Sequence, residues 1–285
     1  MRREDTFFKR TYTMTINGQL VQINKPLVMG IVNATPDSFN PKSRVNSPFE
    51  ACQLAEKQLK EGADWIDVGA MSSRPGADVL PESEEELRLL PVIKAMVKSF
   101  PNAVFSVDTW RASLVKKAVN EGAALVNDIT GGFGDPAMVQ TVATLGVPYI
   151  AMHSRGNALT MQTLTQYEKL PDDIIQWFFN RLKIYHEAGI QDVIVDPGIG
   201  FAKTAEQNFL LIETLHEFKV LEKLLLIGIS KKSFISKSLN VQTGDALNGT
   251  TALHMACLMN GANILRVHDV KEAVEVRNLF VKIKT

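Results

Sequence analysis

Polar side chains follow most of the apolar, strand-like segments of this 285-residue chain, at the point where each segment ends. The carboxyl ends of parallel strands meet at one face, where loops build an active site. A strand-to-loop boundary is polar by default, so one such residue means little, but a set with both acids and bases favours a site. The set is Asn33, Asp108, Asn127, Asp128, His153, Asp196, Arg266, His268 and Asp269, with Lys232 and Ser233 directly after the seventh segment.

Four of these residues have the chemistry to recognise a flat heterocycle. Asp108 and Asp196 offer carboxylate acceptors, Asn127 offers an amide and Lys232 offers an ammonium donor. A carboxylate can accept two parallel N–H bonds from an amidine-like edge. We therefore expect this group to bind a ring whose edge alternates donors and acceptors.

Three others suit an anion. Asn33 ends the first segment, while Arg266 and His268 belong to the last, and the first and last strands become neighbours when a barrel closes. Their donors favour a phosphate or a pyrophosphate. Lys+Arg and Asp+Glu balance at 31 each, so no overall charge favours nucleic acid or an anionic membrane as a partner.

The elements that must position these residues form an alternating pattern of apolar segments and amphipathic helices. Several apolar segments lack polar positions at their starts, which is typical of parallel strands covered on both faces. Eight such units in roughly 250 residues predict an α/β fold, a single (β/α)8 TIM barrel, with an open doubly wound sheet as the alternative. The segments begin at Leu27, Trp65, Val104, Leu125, Tyr149, Val193, Leu224 and Ile264.

A hairpin is predicted over residues 12–24, because Asn17-Gly18 supplies the positive φ angles of a tight turn. We expect this hairpin to close the bottom of a barrel formed by residues 25–285. No linker or repeat interrupts the pattern, so residues 1–285 are predicted to be one domain.

The composition favours a soluble protein. At 45% hydrophobic residues the chain can bury a large core, and its two cysteines, Cys52 and Cys257, lie far apart and outside metal-ligand spacing. A reducing cytoplasm therefore fits better than a disulfide framework. The N-terminus lacks the apolar core of a signal peptide, and no apolar run approaches the roughly 18 residues of a membrane-spanning helix. We expect no membrane partner.

Two long segments, residues 34–47 and 70–82, are polar and rich in proline, serine or glycine. Loops of this length above a barrel are often lids. Simple solvated connections explain the composition equally well.

Eight short motifs occur in fixed order, each at a predicted strand end: NATPDSF (33–39), SSRPG (72–76), SVDT (106–109), NDITGG (127–132), MH (152–153), DPGIGFAKT (196–204), SKKSF (230–234) and ILRVHDV (264–270). With these motifs the chain closely resembles the dihydropteroate synthases of folate biosynthesis over nearly its whole length after the hairpin. That family joins 6-hydroxymethyl-7,8-dihydropterin pyrophosphate to para-aminobenzoate and releases pyrophosphate, with Mg²⁺. The resemblance implies this transferase activity.

The resemblance also implies residue roles. Catalysis would rest on Asp108, Lys232, Arg266 and His268. The pterin would contact Asp108, Asn127, Met152, Asp196, Phe201 and Lys232. The pyrophosphate would contact Asn33, Arg266 and His268. Mg²⁺ would contact Asn33, and Asp37 would either contact Mg²⁺ or organise the loop around it. The para-aminobenzoate pocket and its loops would use Thr35, Pro36, Phe39, Ser73, Arg74, Pro75, Phe201 and Ser233.

The resemblance further implies an SN1-like reaction order, sulfonamide inhibitors and a homodimer packed through the later helices. Some positions depart from the commoner family pattern and leave the second loop and the sulfonamide response open. They are Met71, Ser73, Lys231 and Ala202.

Rival functions remain at this point. A pterin-dependent corrinoid methyltransferase also uses such a barrel, but it has no need of NATPDSF or of the RVH anion site. A non-catalytic pterin-binding paralogue would have no need of Asp108 and Lys232. A structural or interaction protein would not need charges at most strand ends.

Other polar residues are interpreted more simply. Asp67 alternates with Ile66 and Val68, so it is predicted to point into the barrel in a structural role. His153 suits either the site or the core, and Lys203 is predicted to be a loop or helix-start cation. Three further histidines, predicted to lie on helices at surfaces or interfaces, are His186, His216 and His254.

Overall fold

The computed structural model describes residues 11–35, 45–71, 79–156 and 160–284. The chain begins with the predicted hairpin, formed by β1 (Tyr12–Ile16) and β2 (Gln19–Ile23). Its turn places Asn17 and Gly18 at φ +52° and +72°, the left-handed conformation that a tight hairpin turn requires.

In the described part of the chain, eight parallel strands close into a barrel. Each strand pairs with the next in the chain, and the last pairs with the first through Ile264 and Leu27. This closure confirms the TIM barrel and excludes the open sheet. The strands are β3 (Leu27–Asn33), β4 (Trp65–Gly69), β5 (Val104–Asp108), β6 (Leu125–Asp128), β7 (Tyr149–Met152), β8 (Val193–Asp196), β9 (Leu224–Ile227) and β10 (Ile264–Val267).

The helices lie outside the barrel, and sequence signals mark several of their ends. Ser47 accepts a hydrogen bond from the backbone N–H of Glu50 and begins the first helix, and Thr204 and Gln207 form a capping box. The helices are α1 (Pro48–Lys60), α2 (Glu82–Ser99), α3 (Ala112–Asn120), α4 (Met138–Leu145), α5 (Asp172–Ala188), α6 (Ala205–Glu213), α7 (Ser233–Leu239), α8 (Leu247–Met259) and α9 (Val270–Lys284).

Two helix predictions need correction. The pattern predicts one helix through 204–218, but α6 ends at Glu213 and a 3₁₀ helix follows over Leu215–Leu221. The Thr214 hydroxyl donates to the carbonyl oxygen of Leu210, a local bond that competes with a continuing helix. Helix α7 was not predicted, because its seven residues, SFISKSL, are too few to show a 3.6-residue period.

The interior of the barrel changes from apolar to polar along its axis. At the amino ends of the strands, the hairpin side chains Met14, Ile16 and Ile23 pack against inward-facing residues that include Trp65 and Leu224. The hairpin therefore closes the bottom, as predicted. Successive side chains on a strand point to opposite faces, so every second residue points inward. Two residues further along β4 and β10, the inward positions therefore hold Asp67 and Arg266.

Cys52 and Cys257 are both free thiols, on α1 and α8 respectively, so no disulfide joins them. None of the described helices combines the length and apolar character required to cross a membrane.

Candidate active site

A pocket opens at the carboxyl ends of the barrel strands. Seven of its lining residues are predicted site residues: Asn127, Met152, Asp196, Phe201, Lys232, Arg266 and His268. The pocket encloses about 50 Å³. A larger cavity of about 470 Å³ lies at the opposite end, beside Tyr12 and Asn263, but no member of the polar strand-end set lines it. The predicted site residues therefore gather at the carboxyl-end pocket and not at the larger cavity.

Asp196 and Lys232 form one charged wall of this pocket. Oδ1 of Asp196 accepts from the backbone N–H of Gly198 at 2.8 Å, and Nζ of Lys232 donates to the carbonyl oxygen of Ile199. The same Nζ lies 4.2 Å from the centre of the Phe201 ring. Burial raises the pKa of Asp196 and lowers the pKa of Lys232 to about 7, and each group's charge opposes the other's shift.

Arg266 lies between two carboxylates. Its Nε donates to Oδ2 of Asp67 at 2.5 Å, and its Nη2 donates to Oδ2 of Asp108 at 2.5 Å. Burial raises the pKa of Asp108 to about 7, against the lowering effect of the Arg266 charge and with the neighbouring Asp67 charge adding to the rise. Burial alone would lower the pKa of Arg266, but the two carboxylates outweigh it and raise that pKa.

The three predicted anion contacts are not equivalent in position. Arg266 and His268 line the pocket, and β10 lies beside β3, as expected from barrel closure. Arg266 stands level with Met29, whereas Asn33 lies four residues further along β3, half-buried and outside the pocket lining. Asn33 therefore stands nearer the rim of the barrel than the other two.

The loop residues can be placed only in part. Thr35 is buried, and Ser233 is exposed as the first residue of α7, outside the pocket lining. The remaining predicted loop contacts lie outside the described residues. They are Pro36, Asp37, Phe39, Ser73, Arg74 and Pro75.

His153 and Lys203 form a buried pair beneath the β8–α6 loop. Nζ of Lys203 lies 3.3 Å from Nδ1 of His153 and donates at 3.0 Å to the carbonyl oxygens of Gly198 and Phe201. Lys203 thus lies in a loop, as predicted, and it braces the loop that carries Phe201. Burial lowers the pKa of Lys203 to about 7 and lowers the pKa of His153 well below its usual range.

The sequence interpretation missed several residues of the site. Ile31, Ile129, Gly228 and Ser230 also line the pocket. Ile31 could have been found by alternation, because it precedes Asn33 by two positions on the same strand face. Asp67 was predicted to point inward, but not to contact Asn127 and Arg266. No local signal predicts those contacts.

The chain is similar to known proteins over nearly all of its length. Residues 29–268 match the family model described as pterin binding enzyme. The chain is 37% identical to the dihydropteroate synthase of Escherichia coli strain K12 over 260 residues, which cover 90% of this chain and 92% of that protein. It is 40% identical to the dihydropteroate synthase of Synechocystis over 252 residues, 87% of each chain.

Solved structures of dihydropteroate synthases are also similar to this chain. The dihydropteroate synthase of Yersinia pestis, in a sulfonamide drug complex, superposes with a TM-score of 0.92 at 36% identity, covering 96% of this chain and 99% of that one. The dihydropteroate synthase of Xanthomonas albilineans with 4-aminobenzoic acid gives a TM-score of 0.88 at 30% identity, covering 97% and 99%. Both are similar to this chain along nearly their whole length.

Proposed function

The chain belongs to the pterin-binding enzymes, and from that premise we propose that it is a transferase with dihydropteroate synthase activity. It would join 6-hydroxymethyl-7,8-dihydropterin pyrophosphate to para-aminobenzoate and release pyrophosphate. One observation carries the proposal: a single pocket is lined by acceptors suited to a pterin, Asn127 and Asp196, and by hydrogen-bond donors suited to its diphosphate, Arg266 and His268.

Pterin recognition follows from the charged wall of the pocket. The Asp196 carboxylate can accept the amidine-like N–H pair of the pterin ring, and the charge of Lys232 opposes the rise in the pKa of Asp196 that burial causes. The Phe201 ring, which lies under Lys232, supplies an apolar face for the flat ligand.

Bond breaking would occur between the pterin methylene carbon and the pyrophosphate oxygen, which leaves with the electron pair. Arg266 and His268 would offset the negative charge that grows on the leaving group, while the Asp108 carboxylate would stabilise the cation left on the methylene and ring. The amine of para-aminobenzoate then forms the new carbon–nitrogen bond and loses a proton to solvent. This is an SN1-like order.

Mg²⁺ suits the donor chemistry of this site. Asn33, at the end of β3, offers an amide oxygen, and Mg²⁺ is often held by one or two protein oxygens together with substrate phosphates. Such a site needs no cage of protein ligands, and the described ranges contain no group of three His, Cys, Asp or Glu side chains that could hold a metal. Asn33, with Asp37 beyond the described residues, would hold the ion. When bound, it would offset charge on the pyrophosphate.

Further expectations follow from the relatives. Because related enzymes were solved with 4-aminobenzoic acid and with a sulfonamide drug, we expect sulfonamides to compete with para-aminobenzoate here. We also expect a cytoplasmic homodimer that packs through α8 and its neighbours. Light scattering should then give a mass twice that of one chain, and a single-chain mass would contradict the dimer.

The deciding experiment measures dihydropteroate formation from dihydropterin pyrophosphate, para-aminobenzoate and Mg²⁺. Product should form with the wild type and with Glu187→Gln, an exposed change on α5, and should disappear in folded Asp108→Ala and Arg266→Ala variants. Tight pterin pyrophosphate binding without product would instead indicate a non-catalytic paralogue.

Two additions test the finer proposals. In a single turnover without para-aminobenzoate, an SN1-like enzyme should still release pyrophosphate, and a strict requirement for para-aminobenzoate would contradict that order. Removal of Mg²⁺ with EDTA should abolish turnover, and restored Mg²⁺ should recover it. Unchanged turnover after EDTA would contradict the metal requirement.

A further inference from the structure

Asp67 lies inside the barrel, at the level of Ile31, which lines the pocket. It is on β4, where its register partners on the neighbouring strands are Ile31 and Ser106. Its side chain is fully buried and does not line the pocket. Asp67 therefore cannot act by contacting a ligand there, and any effect on the reaction must pass through the residues that it touches.

A single oxygen of Asp67 serves two pocket residues. Oδ2 accepts from Nδ2 of Asn127 at 2.9 Å and from Nε of Arg266 at 2.5 Å. The other oxygen, Oδ1, is buried and has no hydrogen-bond partner among the described residues. Burial of a carboxylate is costly without a paired cation, so Asp67 and Arg266 stabilise each other.

The contact with Asn127 determines which end of that amide the pocket receives. An ionised carboxylate can only accept hydrogen bonds, so Asn127 must present its NH₂ group to Asp67. The amide oxygen of Asn127 then points away from Asp67 and is left for the ligand. A pterin meets an acceptor at this position because of Asp67.

The contact with Arg266 determines the orientation of the guanidinium group. Nε is bonded to Asp67 and Nη2 to Asp108, and two hydrogen bonds from a planar group define its plane. No described residue accepts a hydrogen bond from Nη1, so this edge remains to meet an anion.

We propose that Asp67 is a positioning residue for the pterin pyrophosphate subsite, because its Oδ2 atom orients both the Asn127 amide and the Arg266 guanidinium. The inference rests on the proposed function, which names the ligand. It predicts that a change at Asp67 weakens the binding of one substrate selectively. A purely structural role, in which Asp67 only compensates charge in the core, would lower stability and affect both substrates alike.

The first variant is Asp67→Asn, which keeps the shape and removes the charge. We expect the Kd of 6-hydroxymethyl-7,8-dihydropterin pyrophosphate, measured by calorimetry, to rise at least tenfold, while the KM of para-aminobenzoate stays within twofold. The matched control is Ser106→Ala. Ser106 is the buried register neighbour of Asp67, and its hydroxyl has no hydrogen-bond partner among the described residues. We expect this control to bind pterin pyrophosphate like the wild type.

A double-mutant cycle tests the route of the effect. The cycle combines Asp67→Asn with Asn127→Ala. If Asp67 acts through Asn127, the double variant should bind pterin pyrophosphate at least threefold more tightly than the two single losses, multiplied together, would predict. Multiplicative effects would contradict positioning through Asn127. A loss of less than threefold in Asp67→Asn, or one no larger than in Ser106→Ala, would overturn the inference.

Asp67→Glu covers the case in which Asp67→Asn does not fold. It retains the buried charge beside Arg266 but moves the carboxylate, so we expect a folded protein with at least tenfold weaker binding, and wild-type affinity would overturn the inference. Wild-type turnover tests the proposed function separately. If the wild type binds no pterin, crystal structures of the Asp67 variants still test the positioning role. Unchanged positions of Asn127 and Arg266 in those structures would refute it.

Discussion

Nη2 of Arg266 donates to Oδ2 of Asp108 across 2.5 Å, although the two residues are 158 positions apart in the chain. The residue assigned to the pyrophosphate is thus paired directly with the residue assigned to the pterin methylene. In the proposed reaction, cleavage of the carbon–oxygen bond would leave negative charge on the pyrophosphate and positive charge on the pterin methylene. Arg266 would then face the negative charge and Asp108 the positive charge.

The protonation of Asp108 should set the acid limb of the reaction. Burial raises the pKa of this carboxyl to about 7, so below that pH the stabilising carboxylate is lost and kcat/KM for pterin pyrophosphate should fall. Asp108→Asn should lower kcat on the order of a hundredfold and remove this limb. The measurement is the ratio of variant to wild-type kcat/KM across pH 5–9, in which the effect of substrate ionisation cancels. A ratio that does not change with pH would contradict the assignment of the acid limb to Asp108.

Gly200 should be required for the position of Lys232. It has φ +87°, and a Cβ atom there would lie 2.6 Å from Cδ of Lys232, so Gly200→Ala should displace that lysine. Gly146 is a matched control, because it has φ +63° but no atom within 4 Å of an added Cβ. Both alanine variants should lose about 1 kcal/mol of stability through backbone strain. Only Gly200→Ala should weaken pterin pyrophosphate binding, by fivefold or more in calorimetry, and equal affinities for the two variants would refute this.

Lys203 should brace the β8–α6 loop through the carbonyl oxygens of Gly198 and Phe201. Lys203→Met removes their donor, which costs about 1–3 kcal/mol for each group left buried and unpaired. We expect a lower Tm and weaker pterin pyrophosphate binding, since the loop carries Phe201. Lys183→Met, on the exposed face of α5, is the control, because the Lys183 side chain is 76% exposed. If both variants melt and bind alike, the brace has no role.

His254 should make the fold sensitive to acid. His254 was predicted to lie at a surface or interface, but its side chain on α8 is buried, so that prediction is wrong. Neither ring nitrogen has a hydrogen-bond partner among the described residues, and burial lowers the pKa of His254 to about 4. The unfolded chain, with an ordinary histidine pKa near 6.5, binds the proton first. Stability should therefore fall as the pH drops from about 6.5 towards 4, by up to roughly 3 kcal/mol.

His254→Leu should remove this dependence and raise stability at pH 7, because it eliminates a buried polar group without partners. Urea unfolding at pH 5 and pH 7 measures both effects. His186→Leu is the control, since His186 lies on α5 and is exposed. A pH dependence that survives in His254→Leu would point to another group.

Much of the fold could be predicted because its signals are local. Each strand from β3 to β10 begins near the residue that the apolar pattern indicated, and the hairpin turns at Asn17-Gly18, where positive φ is required. Short elements were harder to predict. Helix α7 has only seven residues, and α6 ends at Glu213, five residues before the end of its amphipathic pattern.

The sequence by itself determined which residue types stand at the carboxyl ends of the strands. Alternation along a strand, and the residue types that mark the start of a loop, depend only on neighbouring residues. Asp196, Lys232 and Arg266 were found in this way. Only the tertiary structure decided how they pair. Asp67 meets Arg266 across 199 positions of the chain, and that contact exists because closure of the barrel brings β4 and β10 to opposite sides of β3. A local pattern carries no information about a partner so distant, since the contact depends on strand order and register.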